Sequence, residues 1–188
     1  ATGANAQTGT IAIGHEALTA LTSGAGNIAI GYNALLVNQT GASNTVIGYE
    51  AANNTTGSEN VVIGKNSGRG IASSGNNTYV GFAVAPNASS DGNSNTLIGS
   101  AVASGGALTG SNNVGVGRNA LLASTSGHSN VAIGMSAGAG IVDGTYNTAV
   151  GHNAGDATVD GGRNISVGAF AHGNADTGDK NVGIEYQA

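Results

Sequence analysis

The chain contains no cysteine and no tryptophan, and only one proline among 188 residues. Without cysteine there are no disulfides and no thiolate metal sites, although the compartment stays open. Aromatic residues make up 4% and charged residues 8%. A core built around large rings is therefore excluded, because a domain of this length usually draws much of its burial from such groups. Five Lys and Arg stand against ten Asp and Glu, a formal net charge of −5. No basic stripe could neutralise phosphates, so nucleic acid is excluded as a partner. No apolar run approaches the length needed to cross a membrane as a helix, and no signal-peptide pattern is visible.

What is abundant is glycine, 34 residues, together with Ala, Val, Ile, Ser, Thr and Asn. Regularly placed β-branched residues and low charge argue against disorder. The regularity is a repeat. A glycine preceded by Ile or Val falls at Gly14, Gly31, Gly48, Gly64, Gly81, Gly99, Gly117, Gly134, Gly151 and Gly168. The steps are 16 to 18 residues, and one more lands on Glu185. Eleven copies thus account for nearly the whole chain. Four residues before this anchor stands Asn in ten of them: Asn27, Asn44, Asn60, Asn77, Asn95, Asn113, Asn130, Asn147, Asn164 and Asn181, with Thr10 in the first. Ala usually follows three after the anchor, and Gly usually stands three before the Asn.

Each copy holds one clear short strand, its β-branched residues two apart and so on one face. The anchor glycine supplies a turn, and the upstream glycine the next one. A weaker second extended segment is expected around "HEALTAL", "YNALLVN" and "RNALLAS". A unit this short suits one rung of an all-β parallel β-solenoid or β-roll. With rungs about 4.8 Å apart, eleven make a rod on the order of 50 Å long. The Asn column is expected to form a ladder, each amide donating to a carbonyl of the next rung. The Ala column marks a crowded site.

The β-branched columns, including Thr45, Thr78, Thr96 and Thr148, are expected to fill the coil. The residue between them (Ala12, Ala29, Val46, Val62, Tyr79, Leu97, Gly115, Ala132, Ala149, Ser166, Gly183) is then expected on the other face. None of these is charged. A strand apolar on both faces predicts burial on both, and hence association between chains.

In its "TIAIGHEA" (10–17), "NIAIGYNA" (27–34), "NVAIGMSA" (130–137) and "NTAVGHNA" (147–154), the sequence resembles the YadA-like head repeats of trimeric autotransporter adhesins. Similar arrays occur in bacteriophage tail fibres. The resemblance covers almost the whole chain. It implies a left-handed roll assembled as a homotrimer. Asn in place of the family's leading Ser, and a longer unit, bring the phage-fibre variety closer. The adhesins' stalk and membrane anchor have no counterpart in this sequence, and residues 1–188 read as a single repeat domain, a segment of a longer fibrous protein.

Chemistry is sparse. His15 and His152 share the column after the anchor; His128 and His172 lie elsewhere. No Ser-His-Asp arrangement or carboxylate pair stands out, so no enzyme is expected, and no cofactor or metal. The acids Glu16, Glu50, Glu59, Asp91, Asp143, Asp156, Asp160, Asp176, Asp179 and Glu185 read mostly as solvated turn residues. "DGG" at 160–162 is the nearest fragment to a calcium-roll repeat, and it does not recur. The column after the anchor offers the best ligand-binding candidates: Tyr32, Tyr49, Lys65, Phe82, Arg118 and His152. Aromatic, amide and charged groups on a rigid wall suit a host-cell glycan or protein receptor.

The functional expectation is therefore a rigid homotrimeric fibre segment outside the cell, on a virion tail fibre or a bacterial surface, serving host attachment by multivalent display. The alternatives are an inert shaft and a monomeric ice-binding solenoid. The ice reading requires an exposed Thr array, which the expected inward position of the Thr column denies.

Overall fold

A computed structural model describes residues 8–87, 92–157, 159–173 and 178–187. Asp91 and Asp176 lie outside the described residues. The chain forms eleven short strands: β1 (Ile11–Ile13), β2 (Ile28–Ile30), β3 (Thr45–Ile47), β4 (Val61–Ile63), β5 (Thr78–Phe82), β6 (Thr96–Ser100), β7 (Val114–Val116), β8 (Val131–Ile133), β9 (Thr148–Val150), β10 (Ile165–Val167) and β11 (Val182–Ile184). They make one parallel sheet in chain order, each strand paired with the next copy in strict register, as in Ile28↔Thr45 and Ala29↔Val46. The result is a β-solenoid of about ten turns, with no helix among the described residues. Rungs are numbered by their strands.

Each rung has a single strand because the rest of it is curled by left-handed residues. In rung 2 these are Asn33, Leu35 and Ser43, at φ 52°, 53° and 59°. The segments expected as second strands form turns instead. Leu18, Leu35 and Leu121 sit at φ 56°, 53° and 53°. A leucine resists this conformation, and its burial offsets the cost: Leu35 and Leu121 are completely enclosed. The upstream glycine also differs from expectation. Gly41 is not left-handed; Ser43 makes that turn. Gly41 is small because a Cβ there would collide with the carbonyl of Gly57.

The Asn column is buried and ties each rung to the next. Asn27 Nδ2 donates to the Gly41 carbonyl at 2.8 Å, and Asn27 Oδ1 accepts the Asn44 backbone N–H at 3.0 Å. The same pair of bonds links Asn113 to Gly127 and Asn130. From Asn27 to Asn164 each side chain thus pairs with a backbone donor and a backbone carbonyl of the following rung, groups that need partners inside the coil.

This ladder decides the faces of the strand, and it reverses the expectation. Asn27 points into the coil, so Ala29, two residues on, points inward too. Ala29, Val46, Val62, Leu97 and Ala132 are all fully buried. The β-branched columns face outward, and Thr45, Thr78, Thr96 and Thr148 with them; all four are only partly buried. The physical reason is the ladder. The Asn side chains find their rung-to-rung partners inside the coil, and alternation then turns the middle residue inward whatever its size, from Gly115 to Tyr79.

In several rungs the interior is filled by exchange of volume between two positions three residues apart. In rung 7, Leu121 stands with Ser124; in rung 2, Leu35 stands with Asn38; all four are fully buried. Rungs 4 and 8 reverse the order, with Gly68 beside Ile71 and Gly138 beside Ile141. Tyr79 lies inside the coil over Gly68, where a Cβ would sit 3.3 Å from its ring.

Candidate functional surface

The outward side of the sheet carries two columns of β-branched residues, about 7 Å apart along each strand. The first runs Ile28, Thr45, Val61, Thr78, Thr96; the second runs Ile30, Ile47, Ile63, Val80, Ile98, and both continue to rung 11. No charged residue interrupts either column. Ile63 is 36% exposed and Ile133 42%, in mid-rod, where neighbouring rungs cover both edges of the strand. Over a rod of about 50 Å this is an apolar strip of several hundred Å², the scale at which exposed patches mark contact sites.

The six sequence candidates line one margin of this strip. In β5 and β6 the strand runs past Gly81 and Gly99, pairing Phe82 with Ser100, so the column after the anchor lies beside the β-branched columns. The structure brings three of the six together. Tyr32 stacks on His15 with centroids 5.1 Å apart and planes within 12°, and on Tyr49 at 5.0 Å and 11°. Lys65 Nζ lies 5.6 Å from the Tyr49 centroid, a cation over a ring face. The rung spacing produces this stack, because it is close to the thickness preferred by parallel rings. Both faces of Tyr32 are consequently covered, and its edge and hydroxyl remain open. Phe82 continues the column without a ring partner among the described residues. Arg118 donates from Nη2 to Met135 Sδ at 3.2 Å. His152 meets Phe170 edge-on at 4.9 Å, forming a separate patch that continues to Tyr186.

Titration adds little chemistry to this wall. Hydrogen bonds from Ser126 and Thr125 hold the exposed Asp143 carboxyl below its ordinary range. Partial burial pushes Asp156 up, against smaller opposing effects of a hydrogen bond with its own backbone and of His152, and its Oδ1 is buried. Burial raises the Tyr79 phenol, and a hydrogen bond with Asn95 partly counters this. Arg69 pairs with Glu50 at 3.3 Å. Ser166 and His172 Nδ1 lie 2.8 Å apart, but Ser166 is enclosed by the coil and presents no nucleophile to solvent. Among the described residues no group of three or more His, Asp or Glu could hold a metal ion.

The chain matches no family model, no curated protein and no solved structure.

Two surface features escaped the sequence reading. One is the outward Thr column, whose position follows from strand alternation once Asn is taken as buried. The other is a second row one residue before the Asn column. There Tyr146 meets His128 edge-on at 5.4 Å and carries the Arg163 guanidinium 5.7 Å over its ring. The pattern "Y-N" at 146–147, "R-N" at 163–164 and "K-N" at 180–181 is the signal that could have found it.

Proposed function

We propose that this protein is a segment of an extracellular fibre, in which three copies of the coil, each wound left-handedly, associate through the β-branched strip. The observation that carries the reading is that strip: two uncharged columns on the outside of every strand. Water is a poor neighbour for such a surface, and burial stabilises it by about 25 cal/mol per Å². A sister copy is the natural cover, because its rungs repeat at the same spacing and present the same residues. The resemblance to YadA-like heads and phage tail-fibre arrays points the same way.

In this reading attachment is multivalent. Three chains present three copies of the column bearing Tyr32, Tyr49, Lys65, Phe82, Arg118 and His152, and weak contacts to a host glycan or protein receptor sum to avid binding. With the ring faces of Tyr32 covered in the stack, its contribution is hydrogen bonding through the hydroxyl and contact along the ring edge. No catalytic role, cofactor or metal forms part of the proposal.

One observation favours a second reading. Thr45, Thr78, Thr96 and Thr148 face outward, the side an ice-binding array requires. Val61, Val114 and Val131 break that array, so it ranks below the fibre.

The test is binding to a glycan array and to candidate host cells, by the wild type and by Tyr32→Ala/Tyr49→Ala. The proposal expects binding by the wild type that falls at least about tenfold in the variant, as multivalent display amplifies each lost contact. Absence of any binding makes the segment an inert shaft, and thermal hysteresis in the wild type moves it to the ice-binding class.

A further inference from the structure

The anchor glycines do more than turn the chain. A Cβ built on any of the ten, from Gly14 to Gly168, falls within 2.6 Å of the carbonyl oxygen of the corresponding residue in the following rung. The direction is always the same: Gly14 toward Gly31, Gly117 toward Gly134, Gly168 toward Glu185. All ten also hold φ between 125° and 145°, which side chains of L residues rarely adopt. Stacking a rung on the C-terminal side therefore requires that the anchor beneath it carry no side chain.

Rung 11 breaks this requirement at its own anchor. Glu185 occupies the column in full register: β11 pairs with β10 through Val167↔Ile184, and the Glu185 N–H donates to the Val167 carbonyl at 2.9 Å. Gly168 makes the equivalent bond to Val150, also at 2.9 Å. Glu185 is held at φ 105°, an unfavourable value for a residue with a Cβ. A strained glutamate thus stands where ten rungs use glycine.

We infer that Glu185 is a stop: it closes the C-terminal end of the coil to any further rung of this repeat, whether from its own chain or another copy. The open edge of β11 would otherwise be a template for another parallel strand. The Glu185 Cβ lies where the carbonyl of a twelfth anchor would sit, and the carboxylate would be forced beside that carbonyl, away from water. The bar acts at one end only, since the corresponding direction from Gly14 leads into the rod. The C-terminal limit of the coil is then set by a residue in the chain, and the coil is protected from growth at that edge.

The test is to lengthen the full chain by a second copy of residues 138–154 placed directly after Ala188. This copy continues the repeat in phase. Hydrogen exchange is followed in peptides that begin before Ala188 and so are unique to the added copy. Three forms are compared: Glu185 retained, Glu185→Gly and Glu185→Ala. The inference predicts an unprotected added strand with Glu or Ala, and exchange slowed about 100-fold or more with Gly, as for a stacked rung. Protection with Glu185 retained overturns it. So does a lack of protection with Gly, or protection with Ala equal to that with Gly, since the Cβ would then not be the bar.

Discussion

The side-chain oxygen of Asn113 accepts the backbone N–H of Asn130, one rung away, at 3.0 Å. The amide nitrogen of Asn113 is spent on the Gly127 carbonyl at 2.8 Å. Both bonds are buried. Asn113→Ala therefore leaves a donor and an acceptor unpaired inside the coil, at a cost of about 2–4 kcal/mol. Asn113→Asp is expected to be no better, because its second oxygen faces a carbonyl. Urea unfolding of the two variants checks this; a loss under about 0.5 kcal/mol would mean the ladder is incidental.

Two glycines give opposite expectations. Gly117→Ala sets a methyl 2.5 Å from the Gly134 carbonyl at φ 130°, so neither backbone nor neighbour can accommodate it. A loss of at least about 3 kcal/mol, or failure to fold, is expected. Gly26 is also left-handed, at φ 68°, but a Cβ there meets nothing nearer than 3.8 Å. Gly26→Asn, matching Asn76 and Asn112 in the same column, should change stability by less than about 0.5 kcal/mol or raise it slightly. Denaturation midpoints measured side by side distinguish the two.

Volume exchange inside the coil predicts a rescue. Gly138→Leu alone drives a side chain toward Ile141, whose Cδ1 lies 2.9 Å from the position of the first added carbon. About 1–3 kcal/mol should be lost to overpacking. Adding Ile141→Ser recreates the Leu121 and Ser124 pair of rung 7, and most of the loss should return. A double-mutant cycle measures the coupling, and additive effects would contradict this packing.

Asp156 should leave a pH signature. Its carboxyl is raised by burial, so the native chain retains a proton that the unfolded chain has already released. Stability then falls as pH rises from the ordinary carboxylate value through the raised one, and the penalty is constant above it. Asp156→Asn is expected to melt slightly higher than the wild type near neutral pH. The difference should vanish below about pH 3, where both carboxyl states are protonated. A gain that persists in acid would assign the effect to something other than ionisation.

The periodicity of Asn27, Gly31 and Ala34 and their copies was enough to place every strand, its parallel pairing and its register. Apolarity alone did not assign the faces, because Ile, Val and Ala suit either side of a thin coil. Alternation from a buried Asn does assign them: Asn27 inward requires Ala29 inward and Ile28 and Ile30 outward. The left-handed Leu35 was illegible because local propensity opposes it, and only burial inside the coil holds it there. The stacked His15, Tyr32 and Tyr49 were visible as one column of the repeat. The row through Tyr146 and Arg163 was missed because that column is small or polar in most other rungs.

The outward strip of Ile63, Ile133 and their neighbours is the foundation of the fibre reading, and the mass of the protein in solution addresses it most directly. Light scattering is measured on the wild type and on Ile63→Glu/Ile133→Glu, which charges the strip without touching the interior. Three chains of 17.9 kDa for the wild type, falling to one in the folded variant, is the predicted result. A wild type with the mass of a single chain would contradict it.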